Sequence, residues 1–327
     1  MLIGGLLGTL PDLDVLVQYA DAVAGFTYHR SWSHSVLVLS LFSPVIAFLL
    51  TRFFPRRWVV ALQSQNTSPH QFPAPGFLAW LITVWLILVT HAMLDGFTIY
   101  GTQLFWPLPV RPVATGSLFI IDPLYTLPLI IGLCVAWRWR SLARQAACVG
   151  LLVSTLYIGV SLVSQEYARR VALESMREQG IETSNVIIAP APFSVFWRIV
   201  SVDDDVYYEG FLSLFDKTRH VKFAQYPTNR KLIDQHKDHW PIARLDWFTN
   251  GMISASNESG VLVINDLRMG IESSYVFKFA VGALTSDQVH ESKLEPGVSK
   301  LLPITIDRDR MNVLLRRVFD DEVDVTQ

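Results

Sequence analysis

The order of apolar and polar positions divides the chain into two parts. Up to about residue 165 the sequence is dominated by long apolar runs. The length of each run is close to that of a helix that crosses a bilayer, which is about 20 residues. A glycine-rich apolar stretch, residues 1–10, precedes them. It is too short to span a bilayer and predicts an N-terminal helix. The predicted membrane spans are residues 35–51, 77–94, 118–137 and 146–163.

From residue 166 onwards the pattern is that of a water-soluble domain. A segment whose apolar residues recur with the period of a helix ends at Gly180, and strand-like runs then alternate with short polar turns. The predicted elements are a helix at 166–179, a hairpin of 192–201 and 206–214, a hairpin of 252–256 and 261–267, a strand at 275–283, and helices at 241–248 and 310–319.

These patterns predict an α-helical integral membrane domain followed by a soluble α+β, β-rich domain. The membrane domain covers residues 1–165 and has about four spans plus the N-terminal helix. The soluble domain covers residues 166–327. No basic segment precedes the first apolar stretch, so a cleaved signal peptide is not expected.

Composition supports a membrane location and excludes some classes of function. Hydrophobic residues make up 51% of the chain and charged residues only 17%, and glutamate is absent before Glu166. The net charge of -2 provides no basic field for nucleic acid. Because Cys134 and Cys148 both fall in apolar runs, neither a disulfide nor a cysteine metal site is expected.

Arginine clusters predict the orientation of the spans. They follow the first and third apolar runs, and by the positive-inside rule both clusters are cytoplasmic. The ends of the spans that carry histidine and aspartate then face outwards, and so does the domain after residue 165, in the inner membrane of a bacterium. Arg169 and Arg170 count against this orientation, although long translocated domains largely escape the rule. The clusters are Arg52, Arg56 and Arg57, and Arg138, Arg140 and Arg144.

His91 and Asp95 form the first candidate site, at the end of the second span. On a helix they lie four residues apart, so both side chains leave the same face about one turn apart. An imidazole and a carboxylate that converge in this way can bind one metal ion. Taken alone, the pair also fits a hydrogen-bonded histidine and an interfacial carboxylate.

Two further clusters repeat this chemistry. Asp12 and Asp14 follow the N-terminal apolar stretch, and His29 and His34 lie five residues apart, just before the first span, with Arg30 beside them. Each cluster alone fits solvated interfacial groups. Together they favour a metal site, because such groups are costly to bury at a membrane unless they are paired or bound to metal. His70, in the polar loop 63–76, is expected to be solvated.

Three spaced motifs carry a resemblance to a known family. They read P-D-x-D from Pro11, H-R-x-x-x-H-S from His29 and H-x-x-x-D-x-x-T-x-Y-G-T from His91. This set resembles the YdjM/YbcI-like family of membrane-bound metal-dependent hydrolases. Members usually begin with a further helix, so we expect that the chain printed here starts late. The metal ligands implied by the resemblance are Asp12, Asp14, His29, His34, His91 and Asp95.

The resemblance implies a metal-dependent hydrolase, since the family is similar to zinc-dependent phospholipase C, which cleaves phosphoesters. Imidazole and carboxylate ligands suit Zn²⁺, or Mn²⁺ or Fe²⁺, and six candidates are enough for one or two ions. Asp14 or Asp12 is the expected general base. Arg30 is expected to contact a phosphoryl oxygen, and Thr98 and Tyr100 to orient the substrate.

The expected substrate is amphiphilic, such as a phospholipid or an isoprenoid phosphate, because the site lies at the bilayer surface. Two alternatives stay open. In one, the polar groups line the path of an ion or solute transporter, although they cluster at one interface instead of crossing the bilayer. In the other, the protein is a non-catalytic module that binds a partner in the envelope and uses metal only for stability.

Overall fold

The computed structural model describes residues 2–53, 76–182, 185–191, 193–286, 292–304, 308–323 and 325. They form two compact units. The first unit comprises residues 1–19, 25–96 and 102–113, and the second comprises residues 20–24, 97–101 and 114–327. Most of the polar loop predicted at 63–76, including His70, lies outside the described residues, as do Arg56 and Arg57.

The first unit is helical, with α1 at Leu2–Thr9, α3 at Val36–Phe53 and α4 at Phe77–Asp95. The short helix α2, Ala22–Tyr28, begins in the second unit and ends in the first. Two short 3₁₀ helices, Pro11–Leu16 and Trp32–His34, connect these elements. The core of this unit is apolar and is formed by Leu7, Leu39, Val84, Leu88, Val89 and Ala92.

Within the part of the chain that the structure describes, three helical segments are long and apolar enough to cross a membrane. They are Val36–Phe53, Phe77–Asp95 and Arg140–Glu178, and most of each apolar stretch is exposed. The first, second and fourth predicted spans are therefore confirmed as apolar helices of sufficient length. The third is shorter than predicted: α5 covers Pro123–Arg138, 16 residues. It begins at Pro123 because the Asp122 carboxylate accepts a hydrogen bond from the Leu124 amide at 3.0 Å and so caps the helix.

The helix after α5 is longer than the sequence pattern predicts. α6 runs without a break over Ala143–Glu178, so the predicted fourth span and the predicted helix at 166–179 are one element. The predicted domain boundary after residue 165 falls inside it. Small residues on one face allow α5 and α6 to approach closely: a Cβ atom at Gly150 would lie 2.7 Å from the Pro128 carbonyl oxygen.

The remainder of the second unit is built on two antiparallel four-stranded sheets. The first has the order β1–β2–β3–β4 and the second the order β10–β9–β6–β5, while β7 and β8 form a separate hairpin. The strands are β1 Asn185–Pro190, β2 Phe196–Val202, β3 Val206–Ser213, β4 Phe223–Pro227, β5 Ile253–Glu258, β6 Val261–Asp266, β7 Gly270–Ile271, β8 Ser274–Tyr275, β9 Lys278–Ser286 and β10 Ser292–Leu301.

Both predicted hairpins are confirmed, since β2 pairs with β3 and β5 pairs with β6. Three further helices are α7 at Arg230–Gln235, α8 at Trp240–Thr249 and α9 at Arg308–Arg317. The predicted helices at 241–248 and 310–319 correspond to α8 and α9. One hydrophobic core packs the last third of α6 against the first sheet, through Ala168, Val171, Ala172, Met176, Ile188, Trp197, Ile199, Leu212 and Val221.

Candidate metal centre

Four side chains from three parts of the first unit converge on one point. Asp12 lies on the first 3₁₀ turn, His34 ends the second, and His91 and Asp95 lie one turn apart at the end of α4. One donor atom of each residue lies within 4.8 Å of those of the other three. We call these four residues the His/Asp cluster.

Four nitrogen–oxygen distances in the cluster are compatible with ligands around one metal ion. His34 Nε2 lies 3.0 Å from Asp95 Oδ2 and 3.4 Å from Asp12 Oδ1. His91 Nε2 lies 3.5 Å and 3.4 Å from the same two oxygens. Bonds of about 2.0–2.1 Å from Zn²⁺ to nitrogen and oxygen place neighbouring ligands of a tetrahedron about 3.3–3.4 Å apart. The four measured nitrogen–oxygen distances lie around that value.

Burial explains why a cation fits here. The side chain of His34 is fully buried, and His91 and Asp95 are mostly buried. The Nε2 atoms of both histidines are shielded from solvent and form no hydrogen bond to any residue that the structure describes. A buried nitrogen that forms no hydrogen bond is destabilising, and a bound metal ion would satisfy both nitrogens at once. Asp12 is 48% exposed, so the cluster opens to solvent on that side.

The charges in the cluster reinforce one another. The imidazoles of His34 and His91 hold the pKa of Asp12 well below its ordinary value, more strongly than burial raises it. Burial lowers the pKa of His34, but the Asp12 and Asp95 carboxylates outweigh burial and raise it. Asp12 is therefore ionised at neutral pH, and the carboxylates around His34 Nε2 stabilise a positive charge there.

Behind His34, Ser33 and Asp14 fix the orientation of the imidazole. The Ser33 hydroxyl donates to Asp14 Oδ2 at 2.5 Å and lies 2.9 Å from His34 Nδ1. Because the single hydroxyl hydrogen is used on Asp14, Ser33 accepts a hydrogen bond from Nδ1–H of His34. Nε2 is therefore the nitrogen of His34 that faces the cluster, and in its unprotonated form it would bind a metal ion.

Asp14 lies outside the His/Asp cluster and bonds to three groups around it. Besides Ser33, it accepts from His29 Nδ1 at 2.7 Å and from the Arg30 amide at 3.0 Å. Burial raises the pKa of Asp14, but these hydrogen bonds outweigh burial and lower it. The structure thus pairs His29 with Asp14, and their assignment as metal ligands stays a prediction.

Arg30 adopts a backbone conformation that few non-glycine residues adopt, with φ of 58°. Its amide donates to Asp14, and its carbonyl oxygen accepts from the Gln103 amide at 2.9 Å. These bonds hold the side chain next to the cluster, where Nε lies 3.4 Å from Asp95 Oδ2. A non-glycine residue held in this region costs roughly 1–3 kcal/mol, and such residues concentrate at functional sites.

The other predicted site residues belong to the second unit. Thr98 is buried, and the Tyr100 ring packs edge to face against Phe248 and Phe277, with centroids 6.0 and 5.7 Å away. Their predicted role in orienting substrate stays a prediction. Sequence reasoning missed Ser33, although a hydroxyl residue next to a candidate histidine ligand is a usable signal.

Comparison with known proteins identifies a family model that covers the cluster. A model of the YdjM inner membrane protein family matches residues 1–168, which include all four residues of the His/Asp cluster. YfhP, an uncharacterized protein of Bacillus subtilis (strain 168), is 22% identical over 260 residues, which cover 72% of this chain and 73% of YfhP. No solved structure matches the chain.

Proposed function

Because the chain belongs to the YdjM inner membrane protein family, we propose that it is a membrane-embedded metal-dependent hydrolase. The observation that supports this proposal best is the His/Asp cluster, in which four donor atoms lie within 4.8 Å of one another and two buried imidazole nitrogens have no hydrogen-bond partner among the described residues. We further propose that the cluster faces the outside of the cytoplasm, as the arginine clusters indicate.

Asp12, His34, His91 and Asp95 would hold the ion, with Zn²⁺ favoured and Mn²⁺ or Fe²⁺ also compatible with these donors. A divalent ion bound in this way supplies Lewis acidity and lowers the pKa of a coordinated water towards neutrality. The arrangement favours one ion per chain. Two ions would require His29 and Asp14 to leave their mutual hydrogen bond and act as ligands.

The surrounding residues have roles that follow from their contacts. Asp14 holds His29 with Nδ1 protonated, which leaves Nε2 of His29 as the basic nitrogen. In this proposal the His29–Asp14 pair accepts the proton of the attacking water, in place of a carboxylate acting alone. Arg30, 3.4 Å from Asp95, would bind a phosphoryl oxygen beside the cluster.

The position of the cluster suggests the class of substrate. His34 lies two residues before the start of α3, and His91 and Asp95 lie in the last turn of α4, so the cluster lies where two apolar spans meet water. A substrate there can keep an apolar tail in the bilayer while its polar group reaches the cluster. We therefore propose an amphiphilic phosphoester, of the phospholipid or isoprenoid phosphate class.

The experiment combines metal analysis with an activity assay on the full chain in detergent micelles. Wild type, His91→Ala and a control, His220→Ala, are grown with zinc, manganese and iron. They are then assayed on phospholipids, isoprenoid phosphates and simple phosphodiesters. His220 is an exposed residue of the second unit, with Nε2 3.6 Å from Glu178, so it controls for the loss of an imidazole elsewhere.

The expected result is stoichiometric metal and turnover in wild type and His220→Ala, and loss of both in His91→Ala. Metal without turnover on any substrate class would support a non-catalytic module with a structural ion. Wild type without bound metal would contradict the proposal and favour the transporter alternative.

A further inference from the structure

Four exposed apolar side chains form a patch on the second unit, away from the His/Asp cluster in sequence. Phe215 and Phe319 are 56% and 78% exposed, and their rings stack with centroids 5.4 Å apart. Leu214 and Leu315 beside them are also exposed. We call these four residues the aromatic patch. Exposed apolar groups that contact one another indicate a surface that binds something apolar.

The patch is rigidly supported from behind. Leu314 and Val318 pack with Phe196 and Phe211 under it. The Ser213 hydroxyl donates to the Val318 carbonyl oxygen at 2.6 Å, next to Leu214. Arg317 and Asp216 form a bidentate ion pair between the two sides of the patch. Nη1 and Nη2 of Arg317 donate to the two carboxylate oxygens of Asp216 at 2.5 and 2.9 Å. The patch is therefore a fixed surface and not a loose loop end.

Hydrogen bonds connect the patch to the ends of the apolar helices in the same unit. The Leu214 amide donates a hydrogen bond to the Val195 carbonyl oxygen at 2.8 Å. The preceding residue, Ser194, donates through its hydroxyl to Asp122, the cap of α5, at 3.3 Å. Its carbonyl oxygen accepts from Ser164, where the apolar part of α6 ends, at 2.9 Å. The patch thus begins at the level where α5 and α6 leave the apolar region.

Exposed apolar side chains continue up to this level. Phe119, Ile120 and Ile121, directly before Asp122, are exposed, with Ile121 at 75%. The hydrocarbon core is about 30 Å thick in a bilayer of about 40–45 Å, so each headgroup layer is about 5–8 Å thick.

We propose that the aromatic patch inserts into the headgroup layer of the bilayer that contains α5 and α6. Aromatic side chains are enriched at that depth because their rings suit the boundary between apolar and polar regions. Lys217 and Arg219, exposed in the loop that follows Phe215, would contact lipid phosphates from the same side. The patch would then fix the first sheet against the membrane surface, independently of any metal at the His/Asp cluster.

The test measures the depth of nitroxide labels in the full chain, reconstituted in phospholipid vesicles. Cys134 and Cys148 are first replaced by alanine, and one cysteine is then introduced by Phe215→Cys or Phe319→Cys. The control is Asp204→Cys, an exposed residue in the β2–β3 turn. Asp204 lies beyond the end of β2 that is opposite to Phe196. Because a strand rises about 3.3 Å per residue, the two ends of β2 are about 20 Å apart.

Power saturation with oxygen and with a water-soluble nickel chelate gives the ratio of apolar to aqueous accessibility. We expect ratios several-fold higher at 215 and 319 than at 204. Ratios at 215 and 319 equal to that at 204 would overturn the proposal and leave a protein partner or a second copy to cover the patch. Should Phe215→Cys fail to fold, Lys217→Cys gives the same reading, because the contact of Lys217 with Asp321 uses its backbone amide.

Discussion

Ser33 accepts a hydrogen bond from His34, with 2.9 Å between Oγ and Nδ1, because its own hydrogen is already donated to Asp14. This contact decides which nitrogen of the buried imidazole faces Asp12 and Asp95. The orientation of one proposed metal ligand thus depends on a residue with no direct contact to the ion.

Ser33→Ala should weaken metal binding by about 10- to 100-fold, as is typical for loss of a partner that orients a ligand. The dissociation constant is measured by competition with a chromophoric chelator. Ser31→Ala is the matched control, because Ser31 is buried two residues away and donates to Tyr28 instead of contacting His34. Equal affinity in the two variants would show that Ser33 does not position His34.

Removal of metal should destabilise the wild-type protein. An ion present at about 100 times its dissociation constant stabilises the folded state by about 2.7 kcal/mol. We therefore expect a chelator such as EDTA to lower the Tm of wild type in detergent and to leave that of Asp95→Asn unchanged. An equal shift in both proteins would mean that the stabilising ion binds elsewhere.

Arg30→Lys should reduce turnover and preserve metal content. Lysine keeps the charge but lacks the planar pair of donors, and loss of one electrostatic stabiliser costs about 10²- to 10³-fold in rate. The kcat on the best phosphoester is compared with the metal stoichiometry of the same preparation. If metal is lost together with activity, Arg30 supports the cluster and not the substrate.

Gly150→Ala should destabilise the contact between α5 and α6. The new Cβ atom would lie 2.7 Å from the Pro128 carbonyl oxygen, and overpacking of this kind costs about 1–3 kcal/mol. Gly159→Ala on the same helix has no atom within 4 Å, so its better helix propensity should stabilise by up to about 1 kcal/mol. Thermal unfolding in detergent should move the two variants in opposite directions.

A reporter that is active only outside the cytoplasm, fused after Gln327, should be active in cells. The expectation rests on the arginines that follow the first and third apolar runs. A reporter active only in the cytoplasm, fused at the same point, serves as the converse control. Activity of that second fusion would place the C-terminal domain and the cluster at the inner face.

The elements with strong periodicity could be predicted from the sequence. α3 and α4 agree with the predicted spans to within two residues, and both hairpins were found from their turns. The start of α5 was missed because Asp122 lies inside an apolar run, and its capping contact depends on local geometry. The continuity of α6 was missed because the change from apolar to charged residues at Glu166 resembles the end of an element.

The composition of the cluster could be predicted only in part. Its four members were all proposed as ligands, but so were His29 and Asp14. On a 3₁₀ turn, successive residues are about 120° apart, so Asp12 and Asp14 point in different directions. The spacing in the sequence does not show whether Asp12 or Asp14 points towards His91, because this depends on how the 3₁₀ helix packs against α4.

The unbroken course of α6 has a mechanical consequence. Its 36 residues extend about 54 Å, more than the about 30 Å of a hydrocarbon core, so the end that carries Ala168 and Met176 lies beyond the bilayer. No hinge separates the span from the sheet packed on that end. A lipid mixture that changes bilayer thickness, and with it the tilt of α6, would therefore act directly on the first sheet, which would either tilt with α6 or resist the tilt through the aromatic patch.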